Sequence, residues 1–168
     1  MTIITGASSN ETLIGGSDDD IIRASFGNDS VGGGAGNDNL YGDGDNDYIR
    51  SGTGDDLLYG GENDDTLLGG IGFDTLRGGN GNDSLRGGQN NDILFGGAGL
   101  LKGDLGNDIL HGGLDNDILF GGAGADTLRG AEGNDLLEGG DGIDLLHGGV
   151  GDDTLAGGLG KDTLYGGM

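Results

Sequence analysis

The stretch "GGNGNDSLR", residues 78–86, decides the fold because the chain repeats it with small changes almost from end to end. Aligned on its aspartate, residues 6–165 divide into eighteen consecutive units, seventeen of nine residues and one of seven, at 96–102. The eighth position, or its equivalent in the short unit, is aliphatic in every unit, and the sixth is acidic in all seventeen full units. Such a period predicts a stacked array of small structural units rather than an ordinary packed domain.

The composition would otherwise suggest disorder, because the 168 residues include 45 Gly and carry a formal net charge of −23. The pattern argues against disorder: five of the six residues that replace Gly at the fourth position are Asp or Asn. These residues best tolerate a positive φ, which predicts a tight turn there. The acidic balance predicts cations as partners and no nucleic acid. No apolar run approaches the ~18 residues of a membrane helix, so no membrane insertion is expected.

Each unit is predicted to form a six-residue glycine turn followed by a three-residue strand whose middle side chain points inward. Two units then make an 18-residue coil, and coils stacked about 4.8 Å apart give two parallel sheets with aliphatic side chains between them. The predicted organisation is a lead-in at 1–5, a repeat array at 6–165 with its irregular unit at 96–102, and a truncated end at 166–168. An end of this kind is expected either in an excised segment or where copies associate end to end.

Stacking places the turn of one unit over the turn two units later, so sixth-position carboxylates form a column along each edge. We call the column from even-numbered units the even edge and the other the odd edge. Unneutralised, these charges repel one another, whereas a hard cation between successive turns could take carboxylate and glycine carbonyl oxygens. Calcium fits better than magnesium because it accepts six to eight flexible oxygen ligands. Zinc and copper lack their preferred ligands, since the chain has no Cys and only two His.

The units "GGAGNDNLY" (33–41), "GGNGNDSLR" (78–86) and "GGAGADTLR" (121–129) resemble the RTX, or hemolysin-type, calcium-binding nonapeptide repeat. This resemblance implies an all-β fold, a parallel β-roll (a right-handed β-solenoid) of about nine coils with calcium held in the turns at both edges. It also implies a bacterial protein secreted by a type I system, unfolded at low cytosolic calcium and folded outside the cell.

The predicted calcium ligands are the sixth-position aspartates. They are Asp20, Asp29, Asp38, Asp47, Asp56, Asp65, Asp74, Asp83, Asp92, Asp108, Asp117, Asp126, Asp135, Asp144, Asp153 and Asp162. Pairing each with the aspartate one coil away gives eight sites on the even edge and five on the odd edge, about 13 Ca²⁺ in all. Glu11 puts the first odd-edge site in doubt. The unit at 96–102 has no aspartate, so the sites it would share with Asp83 and Asp117 are expected to be empty or weak. The alternative is a tightened turn that hydrogen-bonds to itself or is partly covered by Lys102.

No HExxH, GxSxG or GxGxxG motif occurs, so the sequence predicts no enzyme but a calcium-binding structural module. Two observations leave alternatives open. Asp43 and Asp104 replace the second glycine, where each is either an added ligand or a solvated charge. The ninth positions of the even-numbered units form a row of cations and aromatic rings, which predicts either stacking between coils or a platform for a sugar or acidic polysaccharide. The second alternative would make the chain a carbohydrate-binding or adhesive rod that accompanies an extracellular enzyme. That row is Arg23, Tyr41, Tyr59, Arg77, Phe95, His111, Arg129, His147 and Tyr165.

Overall fold

The computed structural model describes all 168 residues and contains strands and turns without a helix. The eighteen strands are β1 (Ile3–Thr5), β2 (Thr12–Ile14), β3 (Ile21–Phe26), β4 (Ser30–Ala35), β5 (Asn39–Gly44), β6 (Tyr48–Thr53), β7 (Leu57–Glu62), β8 (Thr66–Ile71), β9 (Thr75–Asn80), β10 (Asn82–Gln89), β11 (Ile93–Leu105), β12 (Ile109–Gly113), β13 (Ile118–Ala123), β14 (Thr127–Glu132), β15 (Leu136–Gly142), β16 (Leu145–Val150), β17 (Thr154–Gly160) and β18 (Thr163–Gly167). No helix is therefore long and apolar enough to cross a membrane.

The strands form two parallel sheets in which each strand pairs with the strand one coil away. In the sheet that holds the even-numbered units, β3 pairs with β5 and Ile22 lies opposite Leu40. In the sheet that holds the odd-numbered units, β4 pairs with β6 and Val31 lies opposite Ile49. We call them the even sheet and the odd sheet. The predicted all-β parallel β-roll of about nine 18-residue coils is confirmed.

The core is one column of aliphatic side chains from each sheet, packed between the two sheets. Because side chains alternate across a strand, the eighth-position residue points inward while its neighbours on both sides point to solvent. Sixteen hydrophobic residues are buried: Ile22, Ala24, Val31, Leu40, Ile49, Leu58, Leu67, Leu76, Leu85, Leu94, Leu101, Leu110, Leu119, Leu128, Leu137 and Leu146. The core is continuous along the roll but only one side chain thick on each side.

Most strands have six residues rather than the three expected from sequence. The extra residues are the first three positions of the next unit, where glycine backbones continue the ladder, as Gly52 opposite Gly70 shows. The expected positive φ at the fourth position is found at Asp45 (70°), Asn63 (76°) and most other units, although Ser9 and Asp18 do not adopt it. The second position also has a positive φ in most units, which the substitution pattern at that position does not predict.

The short unit joins the two sheets through one long strand. β11 runs for 13 residues; its first part pairs with β9 and β12 in the even sheet, and its second part pairs with β10 and β13 in the odd sheet. Leu101 still lies opposite Leu85 on one side and Leu119 on the other, so the core column passes through unbroken. At the N-terminus, the lead-in forms β1, which pairs with β3.

Candidate metal sites along the two edges

Successive turns along each edge are linked by the sixth-position carboxylates. One oxygen of each carboxylate, Oδ1, accepts a hydrogen bond from the backbone N–H of the sixth-position residue in the preceding coil. On the even edge the Asp20 N–H donates to Asp38 Oδ1 over 2.8 Å and the Asp38 N–H donates to Asp56 Oδ1 over 2.8 Å. On the odd edge the Asp47 N–H donates to Asp65 Oδ1 over 2.8 Å. The structure thus brings the predicted residues together in two columns.

The other carboxylate oxygen, Oδ2, is buried and has no hydrogen-bond partner at fourteen positions. These are Asp29, Asp38, Asp47, Asp56, Asp65, Asp74, Asp83, Asp92, Asp108, Asp117, Asp126, Asp135, Asp144 and Asp153. Leaving a buried polar atom without a partner costs about 1–3 kcal/mol, and more for a charged group. Fourteen repetitions of that cost indicate that these oxygens meet a group other than a protein donor.

Most orphaned oxygens lie where a side chain on the first residue of the unit would sit, and that residue is Gly in twelve of the fourteen units, with Ala24 and Ser51 in the other two. A Cβ atom added to Gly121 would lie 2.5 Å from both Asp126 Oδ2 and the Gly139 carbonyl oxygen, which is closer than a real Cβ approaches. The same arrangement recurs at Gly42, whose Cβ would collide with Asp47 Oδ2 and lie 2.7 Å from the Gly60 carbonyl oxygen. The space is therefore lined by a carboxylate and a carbonyl from the next coil.

Burial perturbs these carboxyl groups strongly. Desolvation raises the pKa of Asp92 to about 8, and that of Asp65 and Asp74 to about 7, with neighbouring carboxylates adding to the effect. The backbone N–H bonds to Oδ1 act in the opposite direction but do not overcome burial. A group of this kind is stable at neutral pH only with a proton or a cation beside it.

The oxygen atoms fit calcium better than any other common ion. Carboxylates and backbone carbonyls are hard ligands, which calcium accepts in flexible numbers. No three His, Cys, Asp or Glu side chains converge at any point of the structure, so a metal ion in these columns would need backbone carbonyl oxygens as further ligands. Zinc would require nitrogen or sulfur ligands, which are absent from both columns.

The ends of the columns differ from the middle. Both oxygens of Asp20 are engaged, because Oδ2 accepts from the Gly16 N–H over 2.9 Å, and hydrogen bonding from the Thr2 backbone lowers its pKa. Glu11 replaces aspartate without breaking the column: its N–H donates to Asp29 Oδ1 over 2.7 Å while its carboxylate accepts from the Ala7 N–H. The sites at the first coil are thus already hydrogen-bonded within the protein.

A second ladder, at the fifth position, was not anticipated. Its residues are Asn or Asp in thirteen of the seventeen full units. In ten of the thirteen, the side-chain Oδ1 accepts from the backbone N–H of the fifth residue in the following coil, as Asp19 does from Asn37 over 2.8 Å. This direction is opposite to that of the sixth-position ladder. The bias in composition was visible in the sequence, but its hydrogen-bonding role depends on the stacking of the coils.

The outward row on the even sheet is a stack of rings and cations. The Tyr41 and Tyr59 rings are parallel within 2° with centroids 5.1 Å apart, and the Arg23 guanidinium lies 4.7 Å from the Tyr41 centroid. The rings of His147 and Tyr165 also stack, at 4.6 Å. The faces of Tyr41 are covered by its neighbours, so only ring edges meet solvent. This geometry matches stacking between coils, the first of the two alternatives, and leaves no free ring face at Tyr41.

The two aspartates at second positions have a conformational role. Asp43 and Asp104 have φ values of 77° and 78°, which Asp tolerates better than most residues. Each also pairs with a cation of the preceding coil in its own sheet, Asp43 with Arg23 over 3.7 Å and Asp104 with Arg86. The interpretation of these residues as surface charges is therefore closer to the structure than that of added metal ligands.

Comparison with known proteins agrees with the repeat pattern and the two columns. The profile described as "RTX calcium-binding nonapeptide repeat (4 copies)" matches residues 5–40, 41–76, 68–99, 102–137 and 138–168. A search of curated proteins gave no match. The matched segments cover nearly the whole chain, and repeats of this type form structural calcium-binding modules rather than catalytic ones. The chain belongs to the RTX calcium-binding nonapeptide repeat family.

Proposed function

We propose that this β-roll is a folding module of an exported protein, in which calcium bound between successive turns decides whether the fold forms. The observation that carries the proposal is the set of fourteen buried aspartate oxygens with no partner. Calcium would be held by the sixth-position aspartates of coils n and n+1 together with turn carbonyl oxygens. When bound, the ion supplies the positive charge that the turns lack.

The overall charge supports this role. Thirteen aspartate pairs would hold ions carrying +26, which offsets the formal charge of −23. Without them the carboxylate columns repel along their whole length, and such repulsion favours an expanded chain. The metal-free state is therefore expected to be expanded and the loaded state compact.

The energetics lead in the same direction. If free calcium is tenfold above the Kd of a site, that site stabilises the fold by about 1.4 kcal/mol. Four such sites reach the lower end of the ~5–15 kcal/mol that keeps ordinary domains folded. The core of this roll is a single aliphatic column per sheet, and glycine-rich chains lose much entropy on folding. Calcium is thus the contribution that makes folding favourable.

Export fits this dependence. A chain that stays expanded where calcium is scarce and folds where it is abundant would remain unfolded until it leaves the cell. Extracellular calcium modules bind with Kd values of about 10⁻⁴–10⁻³ M, well above the roughly 10⁻⁷–10⁻⁵ M of cytosolic calcium sensors. Secretion by a type I system, common among relatives of this repeat type, is the route we propose.

The test is a far-UV circular dichroism titration of the purified chain, from chelator to ~10 mM calcium, with magnesium as the matched control. The expected result is a cooperative coil-to-β transition with calcium and none with magnesium. A spectrum that is already β in chelator at about pH 8, where the carboxylates are largely charged, would show that the core suffices and would refute the proposed dependence. Equal responses to both ions would refute selective calcium coordination.

A further inference from the structure

The unit at 96–102 shortens one coil to sixteen residues but interrupts only one of the two edges. On the even edge the Asp92 N–H donates to Asp108 Oδ1 over 2.7 Å, so this column passes the short coil with its usual hydrogen bond. The carboxylates of both residues keep a buried, unpartnered Oδ2 like their neighbours. The even edge is therefore one continuous column from Asp20 to Asp162.

On the odd edge the column loses a carboxylate. The residue opposite Asp83 in the next coil is Gly99, which has no side chain. The Gly99 N–H still donates to Asp117 Oδ1 over 2.7 Å, so the backbone link to the following coil is preserved. We call the space between the turns of two successive coils on one edge an interval. The two odd-edge intervals next to the short unit thus contain one carboxylate each, from Asp83 and from Asp117, whereas every other odd-edge interval contains two.

Protein groups fill this part of the edge. The added Cβ of Gly96 would lie 2.8 Å from Leu101 Cδ1, whereas at nearly every other interior first-position glycine it would meet an aspartate oxygen. β10 and β11 pair through the turn region itself, in a register from Asn82 opposite Ala98 to Gln89 opposite Leu105. Ladder hydrogen bonds and an apolar side chain take the place of the ion-binding turn.

Positive charge also lies beside this stretch. Arg86 pairs with Asp104 across the two strands, and the Lys102 ammonium lies 5.5 Å from the centroid of the Phe120 ring. Both cations belong to the ninth position of odd-numbered units. Positive charge in this stretch disfavours a further cation nearby.

Resting on the proposed function, we infer that the short turn at 96–99 forms a junction that binds no calcium on the odd edge and divides this edge into two blocks that load separately. One block holds Asp29, Asp47, Asp65 and Asp83, and the other holds Asp117, Asp135 and Asp153. A calcium ion needs six to eight oxygens and charge compensation, and one carboxylate at the junction provides half of what the other intervals offer. The even edge, having no such gap, loads as a single column.

The test restores the missing residues. Inserting Asn-Asp between Gly99 and Leu100 makes the unit a full nonapeptide, and inserting Asn-Ala at the same place is the control of equal length. Bound calcium is counted by equilibrium dialysis at saturation, with circular dichroism to confirm β-structure. We expect the Asn-Asp insertion to bind two more ions than both the natural chain and the Asn-Ala insertion. Equal counts for the two insertions would overturn the inference.

A pair of substitutions tests the same point without changing the chain length. Asp65→Asn should remove two ions, because Asp65 borders an interval on each side, whereas Asp83→Asn should remove only one. Loss of two ions with Asp83→Asn would mean that the junction binds calcium, and the inference would be wrong. If the natural chain binds no calcium at all, the proposed function fails instead, which separates the two failures.

Discussion

Acid should replace calcium in stabilising this fold. The usual pKa of an Asp side chain is about 3.8, yet burial raises it to between about 6 and about 8 at nine sixth-position aspartates, with Asp92 the highest. A folded-state pKa above the unfolded value means that the folded chain binds protons more tightly. The metal-free fold therefore has its greatest stability below about pH 4 and loses it as pH rises to about 8.

The magnitude follows from the number of groups involved. Protonating those nine carboxyls takes the formal net charge from −23 to −14 and removes charge from the buried columns, where it is most costly. This direction is opposite to ordinary acid denaturation, in which carboxylates with lowered pKa values lose favourable contacts.

The assay is far-UV circular dichroism of the chelated chain from pH 8 to pH 4. We expect β-structure to appear on acidification, while in excess calcium the chain should already be folded at pH 7.5 and its calcium affinity should fall below about pH 6, because protons compete for the same oxygens. A chelated chain that stays unstructured at pH 4.5, or that gains structure as pH rises, would refute the reasoning.

Five substitutions, two of them matched controls, probe the other parts of the architecture in the presence of calcium, each followed by urea unfolding. Asp74→Asn keeps an acceptor at Oδ1 but weakens two sites, so it should lower the free energy of unfolding by about 2.8 kcal/mol at calcium tenfold above Kd. Asp162→Asn, at the end of the column, weakens one site and should lower it by about 1.4 kcal/mol. Equal losses would contradict the sharing of each site by two aspartates. Leu76→Ala should cost about 2–5 kcal/mol, because Leu76 is fully buried; a loss below 1 kcal/mol would mean that the core column contributes little. Gly121→Ala places a Cβ between two oxygens and should cost about 1–3 kcal/mol. At Gly166 an added Cβ meets no atom within 4 Å, so Gly166→Ala should have almost no effect. Equal effects of the two substitutions would show that the Cβ at position 121 is not crowded.

The inward column could be predicted from sequence because a fixed period determines which side chain faces the other sheet. Leu58, Leu67 and Leu76 are fully buried as the eighth-position rule requires. The same rule fails only at the ends of the roll, where Leu164 is 42% exposed because no further coil covers it.

The backbone conformation of the second and fourth positions could be predicted only in part. The fourth position revealed its positive φ through Asp and Asn substitutes, such as Asp45 and Asn63. The second position has the same property, but its substitutes include Ser25 and Ala131, which have no preference for such angles and so gave no signal. The length of the strands depends on that backbone and was underestimated for the same reason.

The columns of oxygens were predictable, and their partners were not. Sequence places an aspartate above an aspartate, but the split between a hydrogen-bonded Oδ1 and an orphaned Oδ2 depends on side-chain rotamers set by the stacked turns. The fifth-position ladder likewise depends on the offset between coils, as the bond from Asn37 N–H to Asp19 shows. Carbonyl directions, which complete the candidate sites, have no signature in side-chain chemistry.

The alternation of units between two sheets restricts how such a chain can change its length. Removing 18 residues deletes one coil and returns every later unit to its own sheet, whereas removing nine would transfer all later units to the opposite sheet and break the stacked row that includes Tyr41 and Tyr59. The unit at 96–102 loses two residues within a turn, and Leu101 keeps its neighbours on both sides. Small losses inside a turn are thus tolerated, while whole repeats can be gained or lost without rearrangement only in even numbers.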